Sequence, residues 1–228
     1  FELCRFDAIA PGEGGRARID HFFCNGCGAC VLVCPTGALS LHPNQVGVWT
    51  VRPLAGQRGA LVHAMLGVAQ ENATDLVIQV RRRALREARA RALELVLVDG
   101  PPGIDAPAQA TAEGVDLVLV VTEPTPAGEH DLERALVMTD ELGLPAAAVL
   151  NKHDLDPPVS ARIEASAAAR GIPVVARLPF HPDVPRALSR CEPPLCIPPL
   201  RPAVGAVWAE LERLLAPGAG PRSGPEPV

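Results

Sequence analysis

"DLVLVVTEPTPAGEHDLERALVMTDELGLPAAAVLNKHD" (116–154) decides the fold. A continuous apolar, β-branched run at 116–122 gives way to a helical pattern, and a second apolar run at 145–151 follows. Continuous apolar runs bounded by turn residues read as strands buried on both faces. Strand, helix, strand in that order implies a parallel sheet with a helical crossover.

The pattern extends in both directions. "ELVLVD" (94–99) precedes it and is followed by a helical "APAQATAEG". Downstream come "SARIEASAAARG", a strand "PVVARL" (173–178) and two short helical stretches. Upstream, "VGVWTV" (46–51) and "GALVHAML" (59–66) read as a hairpin. "LVIQVRRRALREARARAL" (76–93) puts Leu76, Val77, Val80, Ala84 and Ala88 on one helical face. Its six arginines at 81–91 read as a solvated face. The fold class is α/β with a mainly parallel sheet and a small module at the N-terminus. The expected boundaries are 1–45, 46–216 and a disordered tail at 217–228.

The first 45 residues are rich in Gly and Cys. Cys24, Cys27, Cys30 and Cys34, followed by Pro35, are spaced C-x2-C-x2-C-x3-C-P. That run holds iron–sulfur clusters, and in two-cluster ferredoxins its fourth cysteine ligates the other cluster. Zinc favours two well-separated pairs instead. Near the start, "CRFDAI" (4–9) lines up with "CPTGAL" (34–39). Cys4 thus has the position of a fourth cysteine. The swap assigns Cys24, Cys27, Cys30 and Cys4 to one 4Fe–4S cluster and leaves Cys34 over. The alternative has Cys34 close the cluster and Cys4 stand as a stray thiol. Cys191 and Cys196, in "CEPPLC", read as free thiols.

Composition sets limits. The 228 residues carry a formal charge of −5 and no Tyr, and Lys152 is the only lysine. Bulk charge gives no case for nucleic acid or an anionic membrane. No apolar run of about 18 residues occurs. The expectation is a cytoplasmic protein with no nucleic-acid or membrane partner. Seven cysteines in such a chain favour metal ligation over disulfides.

The strand ends carry the second candidate site. Asp99 closes "LVLVDGPPG" (95–103), and ligands of open α/β sheets bind at carboxyl strand ends. Glu123 follows the next strand. Asn151 closes the one after, in "LNKHD", where an amide can read a purine base.

Taken in order, "CNGCGACVLVCPTGAL", "AQENATDLVIQVRRRA", "LVLVDGPPG", "VTEPTPAGEHDLERAL", "VLNKHDLDP" and "GIPVVARLPFHPDV" resemble the MinD/ParA superfamily of P-loop ATPases. The resemblance is to the subgroup with an inserted two-cluster ferredoxin domain, and it covers residues 1 to about 190. It implies a doubly wound, mainly parallel sheet, with an iron–sulfur module at 1–45 and a nucleotide-binding part at 46–216. It also implies ATP-dependent homodimerisation, with Asp99 at the magnesium-binding strand end and Asn151 on adenine. The segment around Pro179 would pack on the base, with Glu123 at the nucleotide-facing strand end.

The sequence departs from that pattern in having no G-x-x-x-x-G-K-[ST]. Asp75 and Ala106 stand where relatives often have Lys and Cys. The expectation is an N-terminally truncated chain that binds ATP and Mg2+ only when the missing segment is supplied. The function expected is an iron–sulfur protein coupling nucleotide-driven change to electron transfer or redox sensing, with an unidentified redox partner. A cluster-assembly scaffold and a MinD-like positioning protein are the alternatives.

Overall fold

A computed structural model describes residues 2–216 except Phe22, Asn44, Val46, Ala55, Gln57 and 69–72. The tail expected at 217–228 lies outside the described residues. The chain divides into two compact units, Phe1–Asp99 and Gly100–Val228.

The first unit opens with a short antiparallel pair, β1 (Ile9–Pro11) and β2 (Ala17–Ile19), in which Ile9 faces Ile19. The cysteine run follows and holds one helical turn, α1 (Ala29–Leu32). Then comes the expected hairpin, β3 (Gly47–Pro53) against β4 (Ala60–Leu66), in register from Gly47↔Leu66 to Pro53↔Ala60. Helix α2 (Ala73–Ala90) packs on β4. Its arginines divide as an amphipathic helix requires. Arg82, Arg86 and Arg89 are exposed. Arg83 and Arg91 both pair with Glu87. The Arg83 guanidinium also lies 5.2 Å from the Trp49 ring centroid.

The second unit is the parallel sheet. Strands β5 (Val118–Thr122), β6 (Ala146–Asn151) and β7 (Val174–Leu178) pair in the order β5–β6–β7, all parallel. Central β6 is buried from Ala146 to Leu150. On one face, Ala148 and Leu150 pack with Leu132 and Leu136 of α4 (Pro126–Glu141) and Val159 and Ile163 of α5 (Pro157–Ala169). On the other, Val149 packs with Val207 and Leu211 of a C-terminal helix. Helices on both faces explain why the β6 sequence does not alternate.

The remaining helices are α3 (Ala106–Ala112) and α6 (Val184–Ser189), and the C-terminal helix is α7 (Leu200–Leu215). Helices α3, α4 and α5 each begin with a side-chain cap. Asp105, Thr125 and Asp156 accept from the amides of Ala108, Gly128 and Val159. Each cap satisfies one of the otherwise unpaired first-turn donors.

One expected strand is not there. Residues 94–99 form no hydrogen-bonded ladder among the described residues. Leu97 is 83% exposed. An apolar β-branched run supplies side chains suited to a sheet, but a strand exists only through a neighbour that takes its backbone groups. Asp99 therefore ends an irregular, exposed segment rather than a sheet strand.

Candidate functional site

The thiols of the first unit are set on two matching turns. The Asp7 amide donates to the Cys4 carbonyl at 3.4 Å, and the Gly37 amide donates to the Cys34 carbonyl at 3.3 Å. The third residue after each cysteine is left-handed, with φ 50° at Asp7 and 62° at Gly37. Non-glycine residues seldom adopt this conformation, although Asp tolerates it better than most. The alignment of "CRFDAI" with "CPTGAL" is thus a backbone likeness as well as a sequence one.

Between these turns, Cys24 and Cys27 are exposed, and Cys30, like Cys4 and Cys34, is partly buried. None of the five is in a disulfide. Gly26 and Gly28 have φ of 73° and 76°. The Asn25 side-chain oxygen accepts the Cys27 amide at 3.1 Å, which turns the chain between the first two thiols. Among the described residues, no three His, Cys, Asp or Glu side chains converge to metal-ligating distance. Fit to a cluster therefore rests on the donor set: five thiols without disulfides, three of them at C-x2-C-x2-C spacing. That set suits iron–sulfur ligation.

Cys34 differs from Cys4 in its surroundings. The Thr36 hydroxyl lies 3.5 Å from its sulfur. That hydroxyl, aided by the backbone amides of Thr36, Ala38 and Leu39, lowers the Cys34 thiol from 9.0 to about 7. Sequence reading missed Thr36. Its signal was a hydroxyl two residues after a cysteine at a turn, a place where such side chains bond locally.

The strand-end residues of the second unit do meet. Glu123 follows β5 and Asn151 ends β6, and the two strands pair in parallel as far as Thr122↔Leu150. The Asn151 amide nitrogen donates to Glu123 Oε1 at 3.4 Å. Lys152 Nζ lies 2.7 Å from the same oxygen. Lys152 is itself left-handed, with φ 54°. Such residues persist where the surroundings over-determine them, often at functional sites.

The loop carrying Glu123 is locked. The Thr122 hydroxyl donates to the Gly128 carbonyl at 2.8 Å, and the Thr125 amide donates to the Glu123 carbonyl at 2.8 Å. A Cβ on Gly128 would collide with the Glu123 carbonyl, so only glycine closes this turn. Sequence reading missed both Thr122 and Gly128, because a contact across six residues of loop has no periodicity.

The loop after Asn151 is tied to the loop after β7. The His153 amide donates to the Leu178 carbonyl at 3.1 Å. The Phe180 amide donates to Asp154 Oδ1 at 2.7 Å. That amide holds the Asp154 carboxyl below its ordinary value. Ser160 donates to the His153 carbonyl at 2.7 Å. Pro179 sits half-buried between the Leu178 and Phe180 anchors. Asn151, Lys152, Glu123 and Pro179 therefore share one end of the sheet unit. Asp99 is the last residue of the first unit.

Comparison with known proteins matches both readings. Residues 17–40 match the family described as a 4Fe-4S binding domain. A component of the Na(+)-translocating ferredoxin:NAD(+) oxidoreductase complex of Acetobacterium woodii is 44% identical over 41 residues, 18% of this chain and 12% of that one. The uncharacterized protein MJ0579 of Methanocaldococcus jannaschii is 24% identical over 153 residues, 67% of this chain and 53% of its own length. The chain spans about half the length of that relative. The MinD cell division protein of Aquifex aeolicus superposes with a TM-score of 0.50 at 18% identity, over 59% of this chain and 60% of that one. The chain thus combines a 4Fe-4S binding domain near its N-terminus with a MinD-type α/β fold.

Proposed function

We propose that this iron–sulfur protein couples nucleotide-driven change in its MinD-type part to electron transfer or redox sensing at one 4Fe–4S cluster. The thiols of Cys24, Cys27, Cys30 and Cys4 would hold that cluster, and Cys34 would stay outside it. The observation that carries the assignment is the matched pair of turns at Cys4 and Cys34. A cysteine on a turn of the same form as the fourth-cysteine turn has the backbone presentation of a fourth ligand. Such a cluster supplies one-electron chemistry over a wide range of potentials, tuned by hydrogen bonds to sulfur and by exposure.

The division that fits this reading is an iron–sulfur module at 1–45 and a nucleotide-binding part at 46–216. In the latter, Asn151 would read the adenine edge, the Pro179 segment would pack on its face, and Asp99 would serve the magnesium ion. No G-x-x-x-x-G-K-[ST] lies within these 228 residues. Backbone amides of that loop cradle the phosphates in P-loop proteins, so ATP and Mg2+ would bind this chain weakly without such a segment. Homodimerisation would accompany nucleotide binding. Among the described residues no helix is long and apolar enough to cross a membrane.

The test is anaerobic reconstitution with iron and sulfide, followed by iron counting and EPR of the reduced form. About four irons per chain with a reduced-cluster signal is the expected result. Failure to take up iron, or uptake of zinc alone at tetrathiolate stoichiometry, would overturn the reading.

A further inference from the structure

We infer that Glu123 is a positioning residue that fixes which end of the Asn151 amide faces a bound base. The inference rests on the nucleotide reading above and adds a residue to it. An asparagine amide has a donor end and an acceptor end, and a free amide can present either. A carboxylate only accepts. With Glu123 Oε1 at 3.4 Å from Asn151 Nδ2, only the amino end of Asn151 can face it. The carbonyl end is then left to face outward as an acceptor.

Glu123 is held in that role from two sides. Lys152 Nζ lies 2.7 Å from Oε1 and holds the carboxylate in place. The backbone beneath Glu123 is locked by the Thr122–Gly128 and Thr125–Glu123 hydrogen bonds. In the loop after β6, Asp154 accepts the Phe180 amide at 2.7 Å and ties down the 178–180 segment.

The consequence is a polarity. Adenine presents an exocyclic amino donor where guanine presents the O6 acceptor. An outward carbonyl on Asn151 pairs with the first and opposes the second. Without Glu123 the amide rotates to suit either base, and discrimination disappears. A stability defect alone would weaken both bases alike, so the ratio between them is the readout.

The experiment is a ligand-observed NMR titration of the full chain with AMP and with GMP, on the parent, Glu123→Ala and Glu123→Gln. The glutamine variant keeps the shape but can donate as well as accept, so it frees the Asn151 amide without emptying the site. The parent is expected to favour AMP by roughly tenfold, the factor that one hydrogen bond of about 1.4 kcal/mol gives. Both variants are expected to bring the ratio toward one. A parent preference that both variants retain overturns the role of Glu123 and leaves the nucleotide reading standing. Equal binding of both nucleotides by the parent does the same. No binding of either nucleotide at millimolar concentration overturns the nucleotide reading, and this inference with it.

Discussion

The turns at Cys4 and Cys34 share a backbone and differ in what surrounds the sulfur. Each closes with an amide donated to the cysteine carbonyl from three residues on, and each puts that third residue in the left-handed region. At Cys34 the residue two positions on is Thr36, whose hydroxyl reaches the sulfur. At Cys4 the same position is Phe6, which has no hydroxyl to offer. Backbone form alone makes the two cysteines equivalent candidates for a fourth ligand. Their polar surroundings do not, because one thiol already has donors arranged around it within its own turn. The likeness therefore identifies what kind of residue Cys4 is, and the difference gives a way to tell the two thiols apart.

The largest expected effect comes from deleting each thiol in turn. In the proposed assignment, Cys4→Ser loses or degrades the reconstituted cluster, and Cys34→Ser retains about four irons per chain. Iron counting and EPR on the two variants read this directly. The reverse pattern would make Cys34 the ligand and Cys4 the bystander, and the matched turns would then be a likeness without consequence. A middle-sized effect comes from the backbone. A β-branched residue in the left-handed region costs about 1–2 kcal/mol. Asp7→Val should lower the urea concentration at which the reconstituted chain loses its cluster absorbance. In the proposed assignment, Gly37→Val puts the same side chain into a turn that holds no ligand, and should move that midpoint little. Equal shifts in both variants would mean that both turns support the cluster.

Much of the fold was legible because its signals are periodic or local. The runs at 116–122 and 145–151 became β5 and β6, and the intervening pattern became α4, since a strand buried on both faces needs an unbroken apolar sequence. Hairpin β3–β4 and helix α2 followed from the same kind of pattern. The run at 94–99 has an equally good composition and yet forms no ladder, because pairing depends on a neighbour that composition does not name. At the sites, the cysteines were legible from spacing, and Asn151 and Glu123 from their places at strand ends. Thr36, Thr122 and Gly128 were not. Their roles are contacts made across a turn, and the residue types involved are common in any loop. The Asp154–Phe180 tie joins positions 26 residues apart in sequence, a separation that no local pattern encodes.

The smallest effect tests the chemical half of the comparison. In the iron-free chain, Cys34 is lowered from 9.0 to about 7, chiefly by the Thr36 hydroxyl. The thiolate is the reactive form, so alkylation of the Cys34 peptide, followed by mass spectrometry, should rise with pH through a midpoint near 7. A thiol depressed by folding adds stability that is fully present above its unfolded value and is lost as pH falls through the folded one. For Cys34 the contribution is complete above 9.0 and disappears through about 7. Thr36→Val removes the hydroxyl at nearly constant volume and leaves the backbone amides of residue 36, Ala38 and Leu39 in play. The midpoint should then move upward, part of the way back to 9.0, while the alkylation profile of the Cys4 peptide stays where it was. An unmoved Cys34 profile would assign the depression to the backbone amides alone. Because the Cys4 turn closes in the same way, the polar contrast between the two turns would then lose its side-chain basis.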